Sequence, residues 1–193
     1  MIFRNADLLI KQLNEDNSRF AIKVIAIDGK DGVGKSTLAK KIAINLNGSY
    51  LELDQFIEKN KGHYVSAIKK DDLLNEIRNN SNKKPVLIEG ICAQEVLKSL
   101  NMKADVLIYV KQIDEFGDWF DEYLFESLQS PEEVFQKDEE HFKQFRKLMP
   151  RIAGSGEIDE YKEAIFHEIV RYHYKYKPHN TANHIFNSYI NTA

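Results

Sequence analysis

Gly29-Lys30-Asp31-Gly32-Val33-Gly34-Lys35-Ser36 fits the spacing G-x-x-x-x-G-K-[ST]. Its glycines let the backbone wrap so that successive N–H groups turn inward and form a nest for an anion. A helix opening at about Lys35 adds the positive end of its dipole. Lys35 would then reach the β- and γ-phosphates of a nucleotide. The Ser36 hydroxyl would join a Mg²⁺ shell, and Thr37 would bond a phosphate further back. The stretch from Gly29 to Thr37 is therefore the candidate ATP-binding loop.

Such a loop works only between a buried strand and a helix. Phe20 to Ile27 (FAIKVIAI) is almost continuously apolar, as in a strand buried on both faces of a parallel sheet. Ser36 to Leu46 carries Leu38, Ala39, Ile42 and Ala43 on a helical face and stops before Gly48. Tyr50–Leu53, Val86–Ile88, Asp105–Val110 and Ala182–Phe186 are further strand candidates. Helices are expected over 6–14, 66–78, 94–100, 114–128, 132–149 and about 157–176. Strands alternating with helices predict an α/β fold: a doubly wound, mainly parallel five-stranded sheet of the P-loop NTPase type.

Ligands in that architecture sit beyond the carboxyl ends of the strands. Asp54 follows the second strand there, and Glu89 follows the third. A kinase needs a carboxylate to orient the attacking hydroxyl or take its proton, and carboxylates to hold metal water. Asp54 and Glu89 are thus candidate catalytic residues alongside Lys35, and candidate metal-site residues alongside Ser36. Asp28, directly before the loop, reads as structural.

IAIDGKDGVGKST, then LELDQF, then VLIEGICA, resemble the uridine kinase-like group of P-loop small-molecule kinases. Glu168–His179 and Ala182–Phe186 look like that group's closing helix and final strand. The resemblance implies ATP-dependent phosphoryl transfer to a hydroxyl of a small metabolite, with a nucleoside such as uridine leading. It implies Asp54 as the base and Glu89 as a ligand of metal water or substrate. It also implies a helical lid, here about 111–156, bringing cations to the transferring group. The lids of this group carry an Arg-Asp pair, which this chain lacks; Arg146, Lys147 and Arg151 are its candidates, and Arg146 and Arg151 are taken into the site. That departure keeps open a non-nucleoside acceptor, or a nucleotide-binding protein with a regulatory or degenerate catalytic role.

The 193 residues, with 27 Lys+Arg against 30 Asp+Glu, suit one domain over 1–193. The net charge of −3 speaks against a generally basic nucleic-acid binder. It also hides an asymmetry: residues 111–168 hold 16 acids against 7 bases, a balance of −9 that leaves +6 elsewhere. A single cysteine, Cys92, excludes an internal disulfide framework and fits a reducing, cytoplasmic setting. No apolar run is long enough for a membrane span. The expected partner is a small nucleoside-like acceptor, with no nucleic acid and no membrane; homo-oligomerisation is left open.

Other features are read more plainly. Tyr161, Ile165, Ile169, Tyr172 and Tyr176 recur at helical spacing and read as a packing stripe. Trp119, Phe120, Tyr123 and Phe125 read as core, Cys92 as a buried thiol, and Arg171 as a helix-terminal charge. The histidines show no zinc spacing. A GTPase-type switch would need an N-K-x-D segment, and a thymidylate kinase-like enzyme an Asp-Arg element after the third strand; neither is present.

Overall fold

A computed structural model describes residues 1–58, 63–80, 85–126, 130–148 and 160–189. Their order is β1 (Ile2–Phe3), α1 (Ala6–Phe20), β2 (Val24–Asp28), α2 (Lys35–Asn45), β3 (Ser49–Glu52), α3 (Tyr64–Ala67), α4 (Lys70–Asn80), β4 (Val86–Glu89), α5 (Ala93–Ser99), β5 (Val106–Ile113), α6 (Glu122–Phe125), α7 (Pro131–Leu148), α8 (Glu160–Tyr176), α9 (Pro178–Thr181) and β6 (His184–Tyr189). One 3₁₀ turn, Leu53–Phe56, follows β3.

The strands form one sheet in the order β1-β6-β5-β2-β4-β3. Every neighbouring pair is parallel. All residues of β2 and β4 are buried, which explains their apolar sequence up to the terminal Asp28 and Glu89. Alternate side chains serve opposite faces. Ile25, Ile27, Leu87, Ile108 and Val110 pack with Leu9 and Leu13 of α1 and with Leu38 and Ile42 of α2. Val24, Ala26, Val86, Ile88 and Leu107 pack with Leu73 and Ile77 of α4, Val96 of α5 and Tyr172 of α8. Helices thus cover both faces, and β2 lies between β4 and β5, where the chain switches sides of the sheet.

Several elements differ from the sequence expectation. The sheet has six strands among the described residues, because Ile2 and Phe3 add parallel to Ile185 and Phe186. Phe20 belongs to α1, and the strand after it starts only at Val24. Helix α1 runs from a cap at Asn5, whose side chain accepts from the N–H groups of Asp7 and Leu8, to a left-handed cap at Ala21 (φ 49°). The expected helix 66–78 is two helices broken at Ile68, which bridges to Ile57.

Of the expected helix 114–128, the described residues 114–126 are mostly a loop. The Asp114 carboxylate accepts from the N–H groups of Phe116 and Asp118, both at 2.9 Å, and Gly117 takes φ 93°. Only α6 is helical there. Helix α7 opens with Pro131 as its first residue, and Ser130 Oγ accepts from the N–H of Glu133 at 3.2 Å.

Candidate active site

The loop leaves β2 at Asp28 and enters α2 at Lys35. Gly29, Gly32 and Gly34 take φ of 148°, 77° and 90°, conformations that side chains resist. Gly29 has a second reason to lack a side chain: a Cβ there would stand 2.7 Å from the carbonyl oxygen of Val110. Gly34 caps α2 without any side-chain hydrogen bond, so the first N–H groups of the helix are left for a ligand. Asp31 steadies the turn by accepting from the Gly32 N–H at 2.9 Å.

Lys35 is 6% exposed, and its Nζ donates to the Lys30 carbonyl at 2.7 Å, so the ammonium lies folded over its own loop. Lys30 Nζ pairs with the buried carboxylate of Asp121 at 2.7 Å, tying the loop to the start of α6. Val33 is buried in the core beneath the loop. Thr37 is exposed on the outer side of α2.

Ser36 Oγ donates to Glu89 Oε1 at 2.8 Å, and Tyr50 OH donates to the same oxygen at 3.0 Å. Glu89 is buried, and burial together with its charge pushes the Tyr50 phenol well above the ordinary range. Asp54 stands on the 3₁₀ turn after β3, where Tyr64 OH donates to its Oδ1 at 2.6 Å. Burial, and then the Asp54 charge, hold that phenol protonated as a fixed donor. Ser36 and Glu89 are therefore in direct contact, whereas Asp54 is held by a tyrosine of its own.

Asp28 is fully buried beneath the loop. It accepts from the Gly29 N–H at 2.7 Å and from the hydroxyl of Tyr172 on α8. Burial pushes its carboxyl up to about 6, against the opposing pull of those hydrogen bonds and of Lys35.

Hard oxygen donors are what Mg²⁺ takes, and it needs only one or two from protein because it keeps water and phosphate oxygens. The Ser36 hydroxyl and the Glu89 carboxylate at the foot of the loop fit that donor set. Among the described residues no group of three or more His, Cys, Asp or Glu forms a metal cluster. Beside the loop lies a recess of about 500 Å³. Its apolar lining includes Leu38 and Phe186, and Gln112 and Ser188 supply polar groups, a mixture suited to a purine base.

Arg151 lies outside the described residues, as do the side chains of Arg146 and Lys147 on α7. Trp119 and Phe125 pack in the core around α8, whereas Phe120 and Tyr123 are exposed. Cys92 is buried, and burial pushes its thiol up. Tyr172 packs as its spacing suggested, but its hydroxyl also reaches Asp28. His173 is buried, with Nε2 2.8 Å from Tyr109 OH, and burial lowers its pKa to about 3.

Sequence reasoning missed Tyr50, Tyr64, Asp121 and Tyr172 as partners of the site. Tyr50 carries a signal, since it alternates with Glu52 on a strand leading to Asp54. Tyr64 and Tyr172 carry none, because only the tertiary fold brings them to these acids.

Residues 31–101 match the family model for shikimate kinase. A stretch of 107 residues is 31% identical to the bifunctional pantoate ligase/cytidylate kinase of Prochlorococcus marinus subsp. pastoris. That match takes in 48% of this chain and about a fifth (21%) of the relative's length. Among solved structures, a possible uridine kinase from Bacillus stearothermophilus aligns over 94% of this chain and 96% of its own, at 16% identity and a TM-score of 0.48. A putative fructose transport system kinase from Silicibacter sp. TM1040 aligns over 95% and 99%, at 12% identity and a TM-score of 0.49.

Proposed function

We propose that this chain is an ATP-dependent kinase that transfers a phosphoryl group to a hydroxyl of a small metabolite. The observation that carries the reading is the glycine loop with Lys35 and the Ser36–Glu89 pair at its foot, with Asp54 just past the end of the neighbouring strand. The match of residues 31–101 to a kinase family model supports it, since that span includes most of the loop and both acids.

The loop N–H groups and the start of α2 bind the phosphates, and the recess beside Thr37 takes the base. Lys35 leaves the Lys30 carbonyl for a phosphate oxygen, exchanging one acceptor for a charged one. Ser36 and Glu89 would hold Mg²⁺, which when bound supplies charge neutralisation at the phosphates. Asp54, fixed by the Tyr64 hydroxyl, orients the acceptor hydroxyl and accepts its proton. Arg146 and Arg151 serve as lid cations. The resemblance of the loop, LELDQF and VLIEGICA to uridine kinase-like enzymes makes nucleosides the first acceptors to assay.

The test is ATP turnover against nucleosides, sugars, hydroxy acids and vitamin precursors, beside an Asp54→Asn variant. Acceptor-dependent ADP release is expected, reduced by about 10²–10⁴ in the variant while ATP binding persists. Tight ATP binding with no acceptor-dependent ADP from any compound would overturn the kinase reading. Full activity in the variant would overturn the role of Asp54 alone.

A further inference from the structure

Asp121 has no part in the chemistry proposed above, yet it is buried beside the phosphate loop. Its Oδ1 lies 2.7 Å from Lys30 Nζ, with the carboxylate side chain 3% exposed and the lysine side chain 37%. Two plainer roles for it fail on the geometry. It stands at the N-cap of α6 but makes no side-chain capping bond, so it does not serve to start that helix. Its burial also separates the pair from the exposed ion pairs that contribute little. Backbone contacts fix where it stands. Phe120 N–H donates to the Gln112 carbonyl at 3.0 Å, Leu124 N–H donates to that of Asp121 at 3.1 Å, and Trp119 bridges to Ile113 at the end of β5.

At its other end the contact falls on the part of the loop with least stiffness of its own. Lys30 and Asp31 lie between Gly29 and Gly32, where the absence of side chains makes backbone rotation cheap. The Gly29 N–H is held by Asp28, and the Gly32 N–H by Asp31. Lys30 is held twice: its ammonium sits on Asp121, and its carbonyl accepts from Lys35 Nζ at 2.7 Å. Anchoring residue 30 by its side chain therefore also sets where its carbonyl points. That carbonyl seats the ammonium that must meet the phosphates. Moving Lys30 to a phosphate would take this partner from a buried carboxylate, at a cost that keeps the pair closed when the loop fills.

We infer that Asp121 is a positioning residue for nucleotide binding: from the segment after β5, and through Lys30, it keeps the loop in the shape that receives phosphate. The inference rests on the nucleotide reading of the loop and goes beyond it, because affinity then depends on a carboxylate that touches no nucleotide. Without the pair, the Lys30–Asp31 stretch is ordered only when nucleotide binds, which weakens binding by about tenfold for each backbone residue so freed.

Fluorescent Mg·ADP titrations test it on the wild type, Asp121→Asn, Lys30→Met, Lys30→Arg and the double variant Asp121→Asn with Lys30→Met. Urea unfolding of each protein runs alongside. Asp121→Asn and Lys30→Met are each expected to weaken Mg·ADP binding about tenfold in folded protein, and the double variant no further than Lys30→Met alone. Lys30→Arg, which keeps the charge and the donors to Asp121, should restore most of the affinity. Wild-type affinity in Asp121→Asn, whatever its stability, overturns the proposal, and so do losses that add in the double variant. Tighter binding in Asp121→Asn overturns it too, since Lys30 would then be a phosphate ligand that Asp121 withholds.

A second readout needs no substitution at Asp121. NMR of protein carrying isotope-labelled lysine identifies the Lys30 ammonium by its loss in Lys30→Met. That resonance should keep its chemical shift when Mg·ADP is added, while the Lys35 ammonium moves. A Lys30 signal that moves with that of Lys35 overturns the proposal. Wild-type protein that binds no Mg·ADP overturns the nucleotide reading of the loop and this inference with it. Nucleotide binding without acceptor-dependent ADP release overturns the kinase chemistry and leaves the role of Asp121 to the titrations above.

Discussion

Asp28→Asn is expected to stabilise the folded protein at neutral pH. The carboxyl has no exposed surface, and burial holds it near 6 instead of the ordinary 3.8. Below 3.8 it is protonated in both folded and unfolded chains and costs nothing. Above about 6 it is ionised in both, and the folded state carries the full cost of a buried charge. The difference between the two values corresponds to about 3 kcal/mol. A raised acid therefore takes stability away as pH rises through this window, the reverse of a salt-bridged carboxylate. Asparagine keeps the shape and can still accept from the Gly29 N–H, while the Tyr172 hydroxyl turns to accept from the new amide. Urea titrations of both proteins across the window give the stability difference at each pH. The variant should gain on the wild type by about 3 kcal/mol between the lower and the upper end. A difference that stays constant with pH would refute the reasoning, because it would mean that the Asp28 carboxyl titrates alike in the folded and unfolded chains.

Gly29→Ala should abolish ATP binding, measured by fluorescent-nucleotide titration, and lower the melting temperature. It combines a Cβ 2.7 Å from the Val110 carbonyl oxygen with a backbone angle that alanine resists, a strain of about 1–3 kcal/mol before the clash is counted. Asn5→Ala removes the cap that accepts from Asp7 and Leu8 N–H groups, and should cost about 1 kcal/mol in denaturant unfolding with nucleotide affinity unchanged.

What the sequence made legible follows the range of the forces involved. The phosphate loop is local: its glycines, lysine and serine act within eight positions, and the flanking strand and helix announce themselves by apolar pattern. Strands β2, β4 and the first half of β5 are legible because they are buried on both faces and their sequence is a run of apolar residues up to Asp28, Glu89 and Lys111. Two residues of β1 carry no pattern at all, and their pairing is decided by the free edge of β6. Phe20 and Ala21 read as strand because they extend an apolar run, yet the capped helix α1 claims the first and the left-handed turn the second. Segment 114–126 reads as helix until the Asp114 side chain binds the backbone that a helix would have used. Asp54 and Glu89 could be placed at strand ends, but the tyrosines that bond them come from 10 and 39 positions away, and of the two only Tyr50 leaves a trace in the sequence pattern.

The pairing of β1 with β6 bears on how the chain folds. Ile2 lies opposite Ile185, and the Ile185 N–H donates to the Met1 carbonyl at 2.8 Å, so this ladder joins parts of the sequence separated by nearly its whole length. Closing so long a loop earns only two paired residues in return. The ladder should therefore form after the transition state, with substitutions at Ile2 hastening unfolding and leaving the folding rate alone. Until it forms, β6 presents an open edge, and that interval is when two incomplete chains could pair through it.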